Sequence, residues 1–187
     1  MKKYLFFLPV LLLTVILSPV TSHAADTWSG GFSSVNPIYY NVHTNDTYKN
    51  NYIVPAARNW NGISSKVTLS NWQNSAAAIE VYAETTSDPD LLGEFIPYYT
   101  DNFGRHRDTS CYCHTWNGGG DLIGYYDNMN KNNMTDSQII SNYTHEFGHS
   151  LSLGHPSESS ASVMHQGIQS IGPQSLDKSN LRKRWGY

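Results

Sequence analysis

In the segment His145-Glu146-Phe147-Gly148-His149, two histidines stand four residues apart, a spacing that puts both imidazoles on one face only if the chain is helical. Such a helix must hide its other side. Counting about 100° per residue from His145, the residues Ile139, Tyr143, Phe147 and Leu151 fall opposite His145 and His149. The sequence therefore predicts a helix packed by its apolar side on a core, with the histidines turned outward to a cleft. Its start is marked as well. Thr135 with Gln138 three residues later makes a capping box, and Asp136 suits the positive end of the helix.

Two histidines on one helical face with Glu146 beside them form the ligand pair and base of a zinc hydrolase. A catalytic zinc site needs a third protein ligand and one open position for water. His155 is the candidate, but on a continued straight helix it would lie about 15 Å beyond His145, so the chain must turn between them. Gly154 offers a place for that turn, since glycine enters the left-handed region without steric cost. The other downstream candidates are Glu158, in a Ser-rich loop, and Asp177, distant in sequence. The reading is His145, His149 and His155 as metal ligands and Glu146 as catalytic base.

The amino terminus reads as an export signal. Lys2-Lys3 precede an apolar run from Tyr4 to Leu17, then Ser18-Pro19 and the small-residue site Ser22-His23-Ala24. The run is shorter than the roughly 20 residues of a bilayer span. Residues 1–24 are accordingly expected to be a cleaved signal peptide and 25–187 one catalytic domain, secreted, extracellular and free of the membrane after cleavage. A net charge of -3, with the only basic run at Leu181-Arg182-Lys183-Arg184, argues against nucleic acid as a partner. Charged residues make up 14% of the chain, which gives a polar surface that is not ionic.

Strands are expected at Ile38 to Val42, Lys66 to Ser70, Ala77 to Ala83, Phe95 to Tyr99 and Leu122 to Asp127, with Pro97 interrupting the fourth. The stretch before them, Asp26 to Pro37, reads as an irregular arm. A first helix follows Asp46 as its cap, with Tyr48, Tyr52, Ala56 and Trp60 as its stripe and a kink at Pro55. Asp101 to Gly120 shows little pattern, and Asn128 to Asn133 reads as a loop.

Cys111 and Cys113 flank Tyr112 and leave three readings open: a local disulfide, two free thiols, or metal ligands together with His106 and His114. Asp121 and Asp127, beside Asn-rich loops, are the calcium candidates, although they match no defined calcium loop.

The run from His145 to His155, with Ser162-Val163-Met164-His165 after it, resembles the metzincin zinc peptidases and their Met-turn. The resemblance implies an α+β metzincin-like (zincin) domain: a twisted mixed β-sheet with a long helix, an active-site helix and a C-terminal helix over Ser175 to Trp185. It also implies Zn2+ on the three histidines, Glu146 as general base, Met164 in a turn beneath the metal, and a protein or peptide substrate cleaved by a monomer. In the family the substrate lies extended along an edge strand. Two positions depart from it. Ser152 stands where the family usually has Gly, and Gln166 stands where astacin-like and serralysin-like members have Tyr, which leaves a small bacterial matrixin-like peptidase as the nearest type. A secreted, zinc-stabilised binding protein without catalysis is the alternative from another class.

Overall fold

The computed structural model describes residues 26–72, 77–157 and 159–187. The expected signal peptide and Glu158 lie outside the described residues. No helix among those described is long and apolar enough to cross a membrane.

An arm with two isolated bridges, Thr27 to Leu153 and Gly31 to Thr115, leads into strand β1 (Ile38–His43). Ile38, Tyr40 and Val42 are buried there in strict alternation, the period-2 pattern of a strand with one face on a core. A helical stretch follows as α1 (Asp46–Tyr48), a wider π turn over Lys49–Ile53, and α2 (Val54–Arg58). Its cap is Asn45, whose side chain accepts from the Tyr48 amide, so Asp46 is the first helical residue rather than the cap. Pro55, which has no N–H to give, sits in the first turn of α2, and the helical segments change geometry just ahead of it. Ala56 and Trp60, from the expected stripe, are fully buried.

Strand β2 (Leu69–Asn71) begins later than expected, because the Lys66 amide is taken by the Ser64 hydroxyl in a turn. Strands β3 (Ile79–Glu84) and β4 (Gly93–Asp101) follow, and β4 runs straight through Pro97. Pro97 pairs with Gly120 at a position whose backbone groups point away from that neighbour, so the ring removes no bond on that side. Its carbonyl accepts the Asp108 amide at 2.9 Å on the other side. Strand β5 (Gly104–Arg107), read as pattern-poor in the sequence, closes a hairpin with β4. Then come β6 (Gly120–Tyr125) and α3 (Tyr126–Lys131), a helix where a loop was expected. Its Asn128 side chain donates to the carbonyls of Asp88 and Leu91, and its Met129 is buried, so tertiary bonds hold it where helix propensity is weak.

The strand order is β2-β1-β3-β6-β4-β5, parallel from β2 through β6, with β4 and β5 antiparallel. The sheet is therefore mixed, as expected. Helix α4 (Asp136–Ser150) carries the predicted capping box at Thr135 and Gln138. It lays Ile139, Tyr143 and Phe147 on the sheet, where Phe147 meets the Tyr40 ring edge-on at 5.2 Å. Helix α5 (Ser175–Trp185) has the expected bounds.

Candidate metal centre

Helix α4 ends at Leu151 in a hydrogen-bonding pattern that reverses the chain. The Ser152 amide donates to the His149 carbonyl at 2.9 Å and the Leu153 amide to the Gly148 carbonyl at 3.1 Å, the paired bonds of a Schellman motif. Such a motif places one residue in the left-handed region, and that residue is Ser152, with φ 63°. The turn is thus made at Ser152 and not at Gly154. The arm then pins the returning strand: Trp28 donates to the Ser152 carbonyl, and Gly154 donates to the Asp26 carbonyl, both at 2.8 Å.

That reversal brings His155 back to the helix. His145 Nε2 and His155 Nε2 lie 3.1 Å apart, and the ring of His149 stands 4.6 Å and 4.8 Å from the other two by centroid. One ring nitrogen of each histidine falls within 4.8 Å of the others. The remaining nitrogens of the helical pair are spoken for. His145 Nδ1–H donates to the Val163 carbonyl and His149 Nδ1–H to the Leu153 carbonyl, both at 2.8 Å, so Nε2 of each ring is left as an acceptor facing the shared space.

The three imidazoles are held neutral. Burial is the first cause in each case: it pulls His145 down to about 4, His149 well below the usual histidine value, and His155 downward. Neutral imidazole is the form that binds metal. Metal–nitrogen bonds of about 2.0–2.1 Å in a tetrahedral site put ligand nitrogens roughly 3.3 Å apart, close to the 3.1 Å seen between His145 and His155. The donor set therefore fits a divalent ion of the zinc type.

Glu146 lies beside the pair, 4% exposed, and its Oε2 has no hydrogen-bond partner. Burial, with the Glu94 carboxylate nearby, pushes its carboxyl up to about 8. Gly93 on β4 makes the approach possible, since a Cβ there would stand 3.0 Å from Glu146 Oε1 and 2.8 Å from Asn142 Nδ2. The histidines face a cleft, as the helical phase predicts: the imidazoles and Glu146 line a space of about 460 Å³ between α4 and β4, where His149 is 6% exposed.

Support comes from two sides. Trp28 stacks on His149 at 4.9 Å and on Tyr112 at 3.9 Å, so the arm supplies an aromatic wall to that imidazole. No local pattern around Trp28 signals this. Met164 is buried under the helix against Gly148, and the turn that carries it is tied by Asp177. That carboxylate accepts from Ser162 Oγ, from the Val163 amide at 2.9 Å and from the Gln174 amide at 2.7 Å. Asp177 is thus a buttress of the turn that orients His145, and not a ligand.

Cys111 and Cys113 form a disulfide, which decides among the three readings of that pair. His106 bonds to Asp101 at 3.0 Å and takes no part in the group around the sulfurs, whereas His114 does. Asp121 accepts from Tyr98 Oη at 2.8 Å, and Asp127 accepts from the Thr86 amide at 3.3 Å. Neither belongs to the two groups of His, Cys, Asp or Glu found close enough to share an ion among the described residues.

No family model matches the chain, and no curated protein sequence does. Its fold is similar to that in the crystal structure of myroilysin, with a TM-score of 0.51 over 87% of this chain and 92% of that one. Identity across the match is 13%, so the likeness is one of fold.

Proposed function

We propose that this chain is a secreted zinc-dependent endopeptidase of the metzincin type, nearest to a small matrixin-like enzyme, with Glu146 as its general base. One observation carries the reading: three neutral imidazoles converge beside a buried carboxylate oxygen that has no partner of its own, at the wall of an open cleft. A site that only stabilised a fold would need no such carboxylate. The metallopeptidase-like fold supports the same conclusion, and the signal-like residues 1–24 support export.

A zinc ion on His145, His149 and His155 would supply Lewis-acid polarisation of a peptide carbonyl and lower the pKa of water from 15.7 to about 7. The protein supplies the rest. Along β4, Glu94 and Ile96 face the β6 ladder, so the backbone groups of Gly93 and Phe95 point to the opposite edge. Strand β5 pairs only from Tyr98 onward, which leaves that edge open beside the cleft. An extended peptide adds there as a further strand, held by main-chain bonds. Glu146 takes a proton from the attacking water and passes it to the leaving amine nitrogen, a shuttle for which its unpartnered Oε2 is free.

The test is cleavage of a peptide library by the purified protein, with and without a chelator, beside Glu146→Ala. Cleavage abolished by the chelator, and lost in Glu146→Ala with one zinc still bound, is the expected result. Zinc-loaded parent protein that cuts no peptide, or a Glu146→Ala variant as active as the parent, would overturn it.

A further inference from the structure

We propose a second metal site at the Cys111–Cys113 loop, closed while the disulfide is formed and opened by a thiol reductant to take one zinc-like ion. Its donors would be the two sulfurs, His114 Nδ1 and Asp108 Oδ1. The site stands apart from the three-histidine centre and does not depend on the peptidase reading.

The four donors already converge, with one atom from each residue lying within 4.8 Å of the others. His114 Nδ1 is 3.8 Å from Cys111 Sγ and 3.7 Å from Cys113 Sγ. Asp108 Oδ1 is 2.8 Å from the same nitrogen and 3.3 Å from Cys111 Sγ. Asp108 is wholly buried, and besides the Oδ1 bond to the imidazole its Oδ2 anchors it separately, accepting the His114 amide and the Trp116 indole N–H, each at 3.0 Å. Oδ1 can therefore turn from the imidazole to an ion without loosening the anchor. Cys111, Cys113 and His114 are exposed, so reductant and ion both have access.

The chemistry balances in two steps. A dithiol passes two electrons and two protons to the disulfide, leaving two thiols here and one disulfide on the reagent. The divalent ion then displaces both thiol protons, and ligation through Nδ1 leaves the His114 ring proton on the solvent-facing Nε2. Two thiolates, an imidazole and a carboxylate form a donor set for zinc rather than for calcium or magnesium. Tyr112, between the sulfurs, keeps its stack on Trp28, so the loop stays seated at the wall of the cleft.

The experiment uses the full-length protein with its three-histidine site filled by zinc, reduced with a dithiol, freed of reagent and titrated with Co2+. One further equivalent is expected, with a thiolate-to-cobalt charge-transfer band that the oxidised protein lacks. The band should be absent in the double variant Cys111→Ser, Cys113→Ser. In His114→Ala the affinity should fall at least tenfold. A reduced protein that shows no band overturns the proposal, as does a band of equal affinity in His114→Ala. Circular dichroism follows the fold before cobalt is added, and unfolding on reduction overturns it too, since the site requires the Asp108 anchor.

Discussion

Met164 occupies the space that a side chain on Gly148 would need: a Cβ there would stand 2.3 Å from Met164 Sδ and 2.8 Å from Trp60 Cζ2. The pentad thus has a glycine between its glutamate and second histidine for a packing reason. Gly148→Ala should cost about 1–3 kcal/mol through overpacking. It should also weaken metal binding, because Gly148 adjoins His149. Urea unfolding and zinc affinity measure the two effects, and a variant as stable as the parent would remove the claim of contact.

Ser152→Gly is expected to stabilise the protein. Ser152 is fully buried in the left-handed region, and its hydroxyl has no hydrogen-bond partner. Glycine removes a left-handed penalty of about 1–2 kcal/mol and a buried polar atom, against about 0.5–1 kcal/mol of added unfolded-state entropy. A net gain of about 1 kcal/mol should appear as a higher denaturation midpoint. A lower midpoint would mean that Ser152 has a role its surroundings do not reveal.

Asp177→Ala should act on the metal from a distance. Removing the carboxylate strands the Ser162 hydroxyl and the Val163 amide in the interior, at a cost of about 3 kcal/mol. The Val163 carbonyl would then no longer be fixed to orient His145. Weaker zinc affinity in a variant that still folds is the expected result. Unchanged affinity would make the tie purely structural.

Acid should weaken the fold through Asp108. Burial opposes its ionisation, but bonds from the His114 ring and amide and from the Trp116 indole outweigh that and hold the carboxyl below its usual 3.8. A carboxyl with a lowered folded-state pKa adds stability above its unfolded value and loses it as pH falls toward the folded one. Relative to Asp108→Asn, the parent should therefore hold a constant advantage above about pH 5 that shrinks below about pH 4. Parallel unfolding curves across that range test it, and a gap independent of pH would contradict it.

The sequence displayed helix α4 almost completely, because its cap, its apolar phase and its histidine spacing are local patterns. It also showed that the chain must reverse before His155 and offered Gly154 for the turn, which the structure makes at Ser152 instead. Features set by distant partners were hidden. Strand β5 is a short, mostly exposed Gly-Arg-His-Arg edge with no apolar alternation. Helix α3 is Asn-rich and exists through bonds to Asp88 and Leu91. Trp28 reaches His149 from 121 residues earlier in the chain, and Asp177, weighed from the sequence as a third ligand, takes its place from three donors set around it.

The turn at Ser152 sits where both ends of the described chain meet. Trp28 bonds to its carbonyl, the Trp185 indole donates to the Leu151 carbonyl at 2.8 Å, and Arg184 donates to the Gly30 carbonyl at 3.1 Å. Contacts of such sequence separation require long loops to close, whereas a helix forms from neighbours within about a microsecond. His145 and His149 share one helix, whereas His155 joins them only through these long-range contacts. On the proposed reading, a half-folded chain would offer a metal only the two imidazoles of α4, and hydrolysis would wait for the contacts that return His155 to them.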